Sequence, residues 1–306
     1  MKFQKYIALL FLLLNSVGIF FSFSMVVFPE KKESGFYLYC LMEIDESDIS
    51  SANVFVTGQD LFFMLDSFIN GKRIISGAFI PEKEIIDFFK YDLTVHIQTS
   101  EGRESFREEL VGMDGVLLPL NPPEVPYQRE IITNHQVLQG EYLYKLAEQY
   151  DVDRADLEIL NSDKMDGLHA GDELIIGKVY FEESPYEIRI SLDYCQLTLY
   201  YQKHELITFP VAVGRGNSTP PGIYHIKRKV EDPALYWEGE YIQPLSPING
   251  LGKWWLELSN PQYGIHGTNK PWEIGKRISH GCIRMFNEDV VLLQSLIPIG
   301  TRVIIQ

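Results

Sequence analysis

The sequence predicts a mainly β protein that is divided into several domains. Its 306 residues exceed the size of a usual single domain, which is roughly 100 to 200 residues. Apolar residues alternate with polar ones in short runs, as at Leu93, Val95 and Ile97, and this period-two spacing is typical of half-buried strands. Turn-forming pairs such as Asn70-Gly71 separate the runs. Helical spacing is recognised in a stretch in the middle of the chain, and β structure dominates the prediction.

Composition and charge narrow the class of protein further. Hydrophobic residues make up 45% and charged residues 23% of the chain, a globular balance that excludes a disordered or collagen-like protein. The net charge of -15 argues against a sequence-independent grip on nucleic acid phosphates. Most of the negative charge lies before residue 179, and the C-terminal part is nearly neutral. We therefore expect no nucleic acid partner and a C-terminal part that tolerates an anionic substrate.

An uncharged, apolar segment opens the chain. Lys2 and Lys5 precede a run at residues 6–29 made mostly of Leu, Phe, Ile and Val, of which about 22 residues are long enough to span a bilayer. A cleaved signal sequence has a shorter apolar core, and the small-x-small candidate for cleavage at residues 22–24 lies inside the run. We predict that residues 1–29 form a membrane anchor, with a cleaved signal sequence as the alternative. The rest of the chain would then be extracytoplasmic, in the cell envelope.

The segment from residue 36 to residue 118 is predicted to be a β-sandwich. Short apolar runs alternate with polar turns throughout it, and none of its residues suggests chemistry. A run D-S-F-I-N-G-K-R-I followed by T-S-E-G-R makes the segment resemble bacterial immunoglobulin-like modules. The resemblance implies a spacer domain. Residues 119–130 contain four prolines, which hold the backbone extended, so they are predicted to form a stiff linker.

Residues 131–178 combine two short helices with two short strands. Apolar residues recur at helical spacing from Leu143 to Tyr150 and again from Leu157 to Leu160. Ten residues of the segment carry a wider motif: Val137, Gly140, Glu141, Leu143, Leu146, Ala147, Asn161, Gly171, Leu174 and Ile176. With that motif the segment resembles a LysM domain.

This resemblance implies a βααβ module that binds glycans containing N-acetylglucosamine. The residues that it assigns to glycan binding are Gly140, Glu141 and Asn161. Glu141 stands where the family more often has Asp. The alternative interpretation is that the matching apolar residues form a core only and that the module binds no glycan strongly. If the module serves only to hold the protein on glycan, its removal should leave chemistry elsewhere in the chain unchanged.

The three cysteines are too few and too scattered for a disulfide framework. Cys40 and Cys195 lie in apolar, strand-like runs and are expected to be buried small hydrophobes. Cys282 differs, because a turn-forming glycine precedes it and both His266 and His280 lie shortly before it. A cysteine needs a base or a cation to form thiolate near neutral pH, and an imidazole can be that base. The sequence thus contains the parts of an activated thiol nucleophile.

A zinc site is the alternative interpretation of the same residues. His266, His280 and Cys282, with His225 as a fourth ligand, would supply three nitrogen atoms and one sulfur atom. Their spacing fits no common zinc pattern. We therefore predict no metal and no other cofactor.

The residues around Cys282 form an extended motif. It reads H-G-T, then S-H-G-C-I-R-M-x-N-x-D, and comprises His266, Gly267, Thr268, Ser279, His280, Gly281, Cys282, Arg284, Asn287 and Asp289. V-G-R at residues 213–215 and T-P-P-G at residues 219–222 lie upstream. Together these motifs closely resemble the signature of the YkuD family of L,D-transpeptidases, over residues 187–306.

The resemblance implies a β-sandwich catalytic domain that remodels the peptides of peptidoglycan. Cys282 would be the nucleophile that attacks the amide between the third residue of a tetrapeptide stem and its terminal D-Ala. His266 would be the base, held by the Gly267 carbonyl, and His280 would shape the turn or assist proton transfer. The backbone N–H groups of Gly281 and Cys282 would stabilise the oxyanion. The acyl group would then pass to an amine.

Substrate contacts are expected from five further residues: Arg284, Ser279, Thr268, Tyr263 and Trp237. Arg284 is a fixed cation that suits a substrate carboxylate and equally suits hydrogen bonds that hold a loop. Residues 231–253, rich in aromatic residues, prolines and glycines, could form a flap over the site. The expected partners are peptidoglycan stem peptides and glycan strands, with the membrane contacted through the N-terminal segment.

Two other functions are compatible with parts of the sequence. Transfer of the same acyl group to water would make the protein an L,D-carboxypeptidase. A protein that only binds the cell wall would need no thiol, and the presence of Cys282 and His266 argues against it. The sequence leaves open the acyl acceptor, the third stem residue and the oligomeric state.

Overall fold

Two compact units make up the chain, residues 1–122 and residues 123–306. The computed structural model of the chain describes residues 23–44, 49–58, 61–70, 72–122, 124–164, 168–237 and 239–306. Strands dominate both units, which confirms the mainly β class. No helix among these described residues is long and apolar enough to cross a membrane. Most of the predicted anchor, residues 1–22, lies outside the described residues.

An eight-stranded antiparallel sheet forms the first unit. Its strands in chain order are β1 (Phe23–Lys32), β2 (Gly35–Ile44), β3 (Ile49–Thr57), β4 (Phe62–Asn70), β5 (Arg73–Pro81), β6 (Lys90–Thr99), β7 (Arg103–Met113) and β8 (Val116–Pro119). Their order across the sheet is β1-β2-β5-β4-β3-β6-β7-β8. β4 joins two halves of the sheet, because residues 62–65 pair with β3 while residues 66–70 pair with β5.

The period-two alternation of the sequence is visible in β6. Tyr91, Leu93, Val95 and Ile97 are buried there, and the residues between them are more exposed. Because successive side chains of a strand point to opposite faces, this row contributes to the core of the unit. The immunoglobulin-like arrangement and the spacer role of residues 36–118 stay predictions.

The first strand, β1, includes the last residues of the apolar N-terminal segment. β1 pairs with β2 along its whole length, from Phe23 opposite Ile44 to Lys32 opposite Gly35. Residues 23–29, which we predicted to belong to the anchor, are therefore part of the sheet. An apolar run suits either a bilayer span or a buried strand, and only the pairing partner distinguishes the two.

The second unit begins with a strand–helix–helix–strand segment. β9 (Tyr127–Gln136) and β10 (Glu173–Phe181) pair antiparallel, and α1 (Leu143–Tyr150) and α2 (Arg154–Leu160) lie between them. We call residues 127–181 the βααβ module. Apolar side chains from both helices, from β10 and from the residue after β9 form its core, including Val137, Leu146, Ala147, Leu157, Leu174 and Ile176.

The predicted linker is shorter than its sequence suggests. β8 already includes Pro119, and β9 begins at Tyr127, so two strands take up both ends of residues 119–130. Proline at the end of an edge strand is compatible with strand pairing, which is why composition alone overestimates the linker.

A second eight-stranded sheet, called the second sheet below, completes the unit. Its strands in chain order are β11 (Tyr186–Ser191), β12 (Gln196–Tyr201), β13 (His204–Pro210), β15 (Gly222–Glu231), β18 (Trp254–Leu258), β19 (Gly264–His266), β21 (Ile283–Arg284) and β22 (Arg302–Ile305). Their order is β13-β12-β11-β22-β15-β18-β19-β21. Two separate pairs are β14 (Val213–Gly214) with β20 (Arg277–Ser279), and β16 (Leu235–Trp237) with β17 (Glu240–Ile242).

Strand β18 has two distinct faces. Its neighbour α3 (Asn287–Leu296) packs against β18 and β19. Leu256 and Leu258 are buried apolar residues that alternate along β18 with Trp255 and Glu257. The two sets therefore lie on opposite faces of the second sheet.

The βααβ module and the second sheet form one compact unit. α2 packs against β15, and the Val125 N–H donates to the Ile299 carbonyl at 2.9 Å. Gly300 lies so close to the Phe181 ring that a Cβ atom there would be 2.6 Å from it. The module therefore packs against the second sheet, and the predicted effect of its removal on chemistry stays a prediction.

Candidate active site

Cys282 and His266 lie at the edge of the second sheet that is formed by β19 and β21. β19 and β21 run parallel and pair His266 with Arg284. Cys282 immediately precedes β21, and the backbone of Gly264, two residues before His266, hydrogen-bonds its thiol. Strand β19 therefore provides both the imidazole and a backbone group that contacts the thiol.

His266 is buried and held in one tautomer. Its Nδ1 atom lies 2.6 Å from the carbonyl oxygen of Gly267. A carbonyl oxygen only accepts, so Nδ1 carries the hydrogen and Nε2 of the neutral ring keeps its lone pair. The Trp255 ring stacks on the imidazole, with 5.6 Å between ring centroids and 28° between planes. Nε2 is therefore the nitrogen that can take a proton from a thiol.

The surroundings of His266 keep it uncharged. Burial lowers the pKa of His266 to about 4, partly offset by hydrogen bonds with the backbone at Gly267 and Leu251, while the Arg284 charge lowers it further. The charged form of a buried imidazole loses its hydration, which is the physical cause of the main effect. At neutral pH His266 is therefore an uncharged imidazole.

The Cys282 thiol is half-buried, whereas Cys40 and Cys195 are buried as predicted. The Cys282 sulfur lies 4.0 Å from the carbonyl oxygen of Gln262. Burial raises the pKa of the Cys282 thiol, and a backbone hydrogen bond from Gly264, together with the Arg284 charge, lowers it in part. The resting pair is thus a neutral thiol beside a neutral imidazole, so the proton has to move as the sulfur attacks.

The turn before Cys282 is held by Ser279. The Ser279 hydroxyl accepts from the Gly281 N–H at 3.1 Å and donates to the Cys282 carbonyl at 2.6 Å. Ser279 is buried, so we correct its predicted role from substrate contact to support of the turn. The predicted oxyanion role of Gly281 changes for the same reason, because its N–H is already engaged. The Cys282 N–H makes no hydrogen bond within the described part of the chain.

Gly281 is required by both conformation and space. Its φ of +140° lies in a region that favours glycine. A Cβ atom at this position would lie 2.5 Å from the Tyr263 ring and 2.7 Å from the Ser218 carbonyl oxygen. Tyr263, predicted to contact substrate, thus lies against the turn and shapes it.

Thr219 supports the same turn from a distant segment. Its hydroxyl accepts from the Gly214 N–H at 2.8 Å and donates to the Gly281 carbonyl at 2.7 Å. The V-G-R and T-P-P-G motifs therefore meet the S-H-G-C motif at one point, which explains why three separate segments of the sequence belong to one site.

Gly267 and Thr268 fix the strand that carries His266. A Cβ atom on Gly267 would lie 2.1 Å from the Asn287 amide oxygen. Asn287 accepts from the Lys253 N–H at 3.0 Å and donates to the Thr268 carbonyl at 2.9 Å. The Thr268 hydroxyl accepts from the Lys270 N–H at 3.0 Å and is buried. We therefore correct Thr268 from a substrate contact to a residue that holds the loop.

Arg284 is held by a carboxylate that we did not predict. Its Nη1 donates to Glu273 Oε2 at 2.5 Å, and Glu273 ends a 3-10 turn at Pro271–Glu273. The loop-holding role considered for Arg284 is thus present. Its buried Nε–H has no hydrogen-bond partner among the described residues, so one donor of the guanidinium is left for another group.

The remaining predicted residues of this region are more peripheral. His280 is exposed. Trp237 lies in β16, and its side chain is outside the described residues. In the predicted flap, exposed Tyr236 and Tyr241 lie on the β16–β17 hairpin with their ring centroids 5.0 Å apart.

The three residues predicted to bind glycan have structural roles in the βααβ module, and their contact with glycan stays a prediction. The Glu141 carboxylate accepts from the Leu138 N–H at 2.9 Å and lies 2.8 Å from His135 Nε2. These two hydrogen bonds lower the pKa of Glu141, so it stays an acceptor. Gly140 has a φ of +83° and forms the turn before α1.

The Asn161 side chain forms hydrogen bonds within the βααβ module. It is buried, its amide donates to the Leu157 carbonyl at 2.8 Å and to the Ile175 carbonyl at 2.9 Å, and its oxygen accepts from the Ile175 N–H at 2.7 Å. These hydrogen bonds give Asn161 a structural role in the module, and its contact with glycan stays a prediction.

Trp255 and Glu273 shape the site and were not predicted. Trp255 follows another tryptophan in a strand, and the alternation of that strand could have placed one of the two rings beside His266. Glu273 gave no such signal, because it lies 11 residues from Arg284 in a turn without periodicity.

The residues of the zinc alternative do not gather in the part of the chain that the structure describes. No group of three His, Cys, Asp or Glu side chains able to hold a metal ion is found there. His225 lies on β15, with its ring 6.1 Å from that of Phe181.

Sequence comparison adds an independent finding. The family model described as the YkuD L,D-transpeptidase catalytic domain matches residues 185–305. The putative L,D-transpeptidase YkuD of Bacillus subtilis (strain 168) is 38% identical over 173 residues, which cover 56% of this chain and 97% of that protein. The probable L,D-transpeptidase YbiS of Escherichia coli (strain K12) is 33% identical over 132 residues, or 37% of this chain and 43% of that protein.

Solved structures are similar only at a low level. The catalytic domain of an E. faecium L,D-transpeptidase, solved by NMR, is 21% identical, with a TM-score of 0.34 over 41% of this chain and all of that chain. The assignment therefore depends on the sequence matches, and the chain belongs to the L,D-transpeptidase family.

Proposed function

We propose that the protein is a peptidoglycan L,D-transpeptidase that uses Cys282 as its nucleophile. The observation that carries the proposal is a half-buried thiol that is hydrogen-bonded by the backbone of β19 at Gly264, the same strand that carries a buried, uncharged imidazole. Membership of the family supports the substrate class, a peptidoglycan stem peptide. The bond to be cleaved is the amide between the third residue of a tetrapeptide stem and its terminal D-Ala.

In the acylation step the Cys282 sulfur attacks the carbonyl carbon of that amide, while its proton moves to Nε2 of His266. The resulting negative charge on the former carbonyl oxygen is received by the Cys282 N–H. The C–N bond then breaks, and D-Ala leaves with the proton from His266. A thioester between Cys282 and the third stem residue remains.

In the transfer step an amine of an acceptor attacks the thioester. His266 takes a proton from the amine and returns it to the Cys282 sulfur as the C–S bond breaks. A new amide and a free thiol result, so the cycle closes without a cofactor. Water in place of the amine would release a tripeptide.

The test is incubation of the full chain with a soluble tetrapeptide stem, with and without an amine acceptor, followed by mass spectrometry. We expect a tripeptide acyl adduct on Cys282, release of D-Ala, and cross-linked product when the amine is present. Cys282→Ala should lose both adduct and cross-link, and Cys195→Ala, which changes a buried thiol, should keep both. Cross-linking by Cys282→Ala would refute the nucleophile, and tripeptide alone despite added amine would indicate an L,D-carboxypeptidase.

We further propose that the βααβ module is a LysM domain that binds N-acetylglucosamine-containing glycan. Support comes from the loop after β9, where the side chains of Leu138 and Tyr142 are exposed and could pack on a sugar ring. Tyr142→Ala should weaken sedimentation of the protein with insoluble peptidoglycan. Tyr194→Ala, a change of an exposed tyrosine outside the module, is the matched control and should sediment normally.

We also propose that the protein is held at the cytoplasmic membrane with its folded units in the cell envelope. The support is the apolar run at residues 6–22, which follows Lys2 and Lys5. The full chain should fractionate with membranes, and a chain without residues 1–22 should not. Equal distribution of the two chains would refute the anchor.

A further inference from the structure

Six charged side chains connect helix α2 of the βααβ module to the second sheet. Three of them occupy every second position along α2, and the other three lie on β15 and β18. The ion pairs are Asp156 with Lys227 at 2.5 Å, Arg154 with Glu257 at 3.1 Å, and Glu158 with Arg228 at 3.1 Å. We call these six residues the helix–sheet ion network. Each pair joins opposite charges across the same boundary.

The central members of the network are buried. The side chains of Asp156 and Glu257 are 5% exposed, and that of Lys227 is 6% exposed. Burial removes the hydration of a charge, so each group depends on its partner across the boundary. Glu257 depends most on its ion-pair partners. Its Oε1 atom is buried without a hydrogen-bond partner among the described residues, and its Oε2 atom is shared between Arg154 and Arg228.

A β-bulge makes the network possible. The register between β15 and β18 shifts between Ile226, opposite Leu258, and Arg228, opposite Glu257. The shift leaves Lys227 as an extra residue, and a bulge re-aims the side chains around it. Neighbours on a regular strand would point to opposite faces, but here Lys227 and Arg228 both reach α2.

The same strand that carries Glu257 also supports the reacting pair. In the pairing of β18 with β19, Glu257 lies opposite Gly264 and Trp255 lies opposite His266. Gly264 provides the backbone hydrogen bond to Cys282, and Trp255 stacks on the imidazole. β18 therefore links the ion network to the groups that contact Cys282 and His266.

We propose that the helix–sheet ion network positions the reacting pair: α2 holds β18, and β18 holds β19 so that Gly264 and His266 stay in register with Cys282. The inference rests on the proposed function, since positioning matters only for a thiol that reacts. Arg154 and Asp156 become positioning residues of the site although they belong to the βααβ module.

The distances involved make this coupling physically reasonable. Adjacent strands of a sheet are about 4.8 Å apart, so Glu257 and Cys282, separated by β19, are about 10 Å apart. β19 has only three residues, Gly264–His266, and takes its position from its neighbours on either side. A small displacement of β18 would therefore pass to the imidazole and to the Gly264 N–H.

The test compares Arg154→Ala and Asp156→Asn in the full chain. The first leaves the Glu257 charge without its nearest cation, and the second leaves Lys227 without its carboxylate. On a soluble tetrapeptide stem we expect kcat to fall about 10- to 100-fold, the effect of a misplacement of about 1 Å, while KM changes less than about threefold. A soluble stem removes any contribution from glycan binding.

A second measurement needs no substrate. The rate at which iodoacetamide alkylates Cys282, followed across pH by peptide mass spectrometry, reports the pKa of this thiol separately from Cys40 and Cys195. Arg154→Ala should shift that pKa toward the ordinary value of about 8.5, because a displaced β18 admits water to the sulfur. Arg154→Lys keeps a charge opposite Glu257 and should restore most of kcat.

Arg302→Ala is the matched control. It removes an exposed ion pair with Glu187, 3.3 Å, within the second sheet, and should change neither kcat nor the alkylation profile. All four tryptophans lie after residue 236, so tryptophan fluorescence shows in every variant whether the second unit is folded.

Folded Arg154→Ala and Asp156→Asn chains with wild-type kcat and a wild-type alkylation profile would overturn the inference. If Arg154→Ala does not fold, the isosteric Asp156→Asn decides. If neither folds, the network is a folding requirement and the positioning role is refuted. A shifted alkylation profile in a protein that shows no transpeptidation would refute the proposed function and leave the inference standing.

Discussion

The reacting residues start uncharged and are arranged to exchange a proton. Burial raises the pKa of Cys282 and lowers that of His266 to about 4, so a preformed thiolate and imidazolium pair is disfavoured at neutral pH. The hydrogen bond from His266 Nδ1 to Gly267 leaves Nε2 as the proton acceptor. Sulfur attack and proton transfer are therefore expected to occur together.

The two histidines of the motif should differ strongly in importance. His266→Ala removes the buried base, and we expect acylation to slow by at least about 100-fold. His280 is exposed, so His280→Ala should change the rate less than about threefold. The measurement is the initial rate of D-Ala release from a soluble stem. Normal release by His266→Ala together with failure of His280→Ala would reverse the two roles.

The low pKa of His266 also predicts how stability depends on pH. In the unfolded chain His266 titrates near 6.5, and in the folded chain near 4, so between these pH values the unfolded chain binds an extra proton. The contribution of His266 to the free energy of unfolding is therefore complete above pH 6.5 and is lost as pH falls toward 4. Between pH 7 and pH 5 the loss should be about 2 kcal/mol.

Urea unfolding followed by tryptophan fluorescence measures this effect in the second unit. Other groups titrate in the same range, so the comparison is with His266→Gln, which cannot be protonated. The wild-type chain should lose about 2 kcal/mol more than this variant between the two pH values. Equal losses would show that His266 is not buried in its neutral form.

At the scale of elements, short segments are held by side chains from distant parts of the chain. β19 and the turn before β21 are too short to define their own geometry, and Ser279, Thr219 and Asn287 supply the missing hydrogen bonds. In the βααβ module Asn161 does the same for the end of α2 and the middle of β10. Polar residues that resemble ligands in a motif are thus part of the scaffold.

Asn161→Ala should destabilise the βααβ module. It leaves the N–H and the carbonyl of Ile175 without their side-chain partner, at a cost of about 2 to 4 kcal/mol, while the Leu157 carbonyl keeps its bond from the backbone N–H of residue 161. Hydrogen exchange of peptides from β10 should become faster by a corresponding factor. Asn134→Ala changes an exposed asparagine of β9 whose side chain donates to the Glu173 carboxylate and should have little effect. Unchanged exchange in Asn161→Ala would return this residue to consideration as a glycan ligand.

At the scale of the whole molecule, the βααβ module and the second sheet share a buried boundary. The sequence motifs suggest a binding module joined to an enzyme, but Lys227 and Glu257 of the sheet depend on charges from the module. Tethering to glycan and support of the site are therefore compatible roles of one module.

Deletion of residues 127–181 should affect chemistry as well as wall binding. It exposes Lys227 and Glu257 and removes Asp156 and Arg154, the partners that the module supplies to these charges. We therefore expect kcat on a soluble stem to fall and the thermal midpoint of tryptophan fluorescence to drop by about 5 °C or more. The control is Tyr142→Ala, which leaves the boundary intact. A deletion that binds peptidoglycan poorly but keeps full kcat and midpoint would show that the module is a tether only.

Much of this protein could be inferred from local features of its sequence. Alternation of apolar residues predicted the mainly β class, because strand periodicity is a property of consecutive residues. The part of the candidate site that could be predicted is the part formed by residues close together in the sequence. His266, Gly267 and the turn leading to Cys282 lie within 17 positions, and together they carry the resemblance to the family.

Only the tertiary structure shows which partner each strand, hydrogen-bonding side chain and charged side chain has. The sequence of residues 23–29 is compatible with a membrane span or with a strand, and their pairing with β2 decides for the strand. Ser279 and Asn161 resemble ligand-binding residues in the sequence, and only the structure shows the hydrogen bonds that they make within the protein. The network pairs Asp156 with Lys227 across 71 positions. A buried charge is stabilised by the groups that surround it in space. Folding brings these groups together from distant segments, and the local sequence of one segment does not show which other segment will contact it.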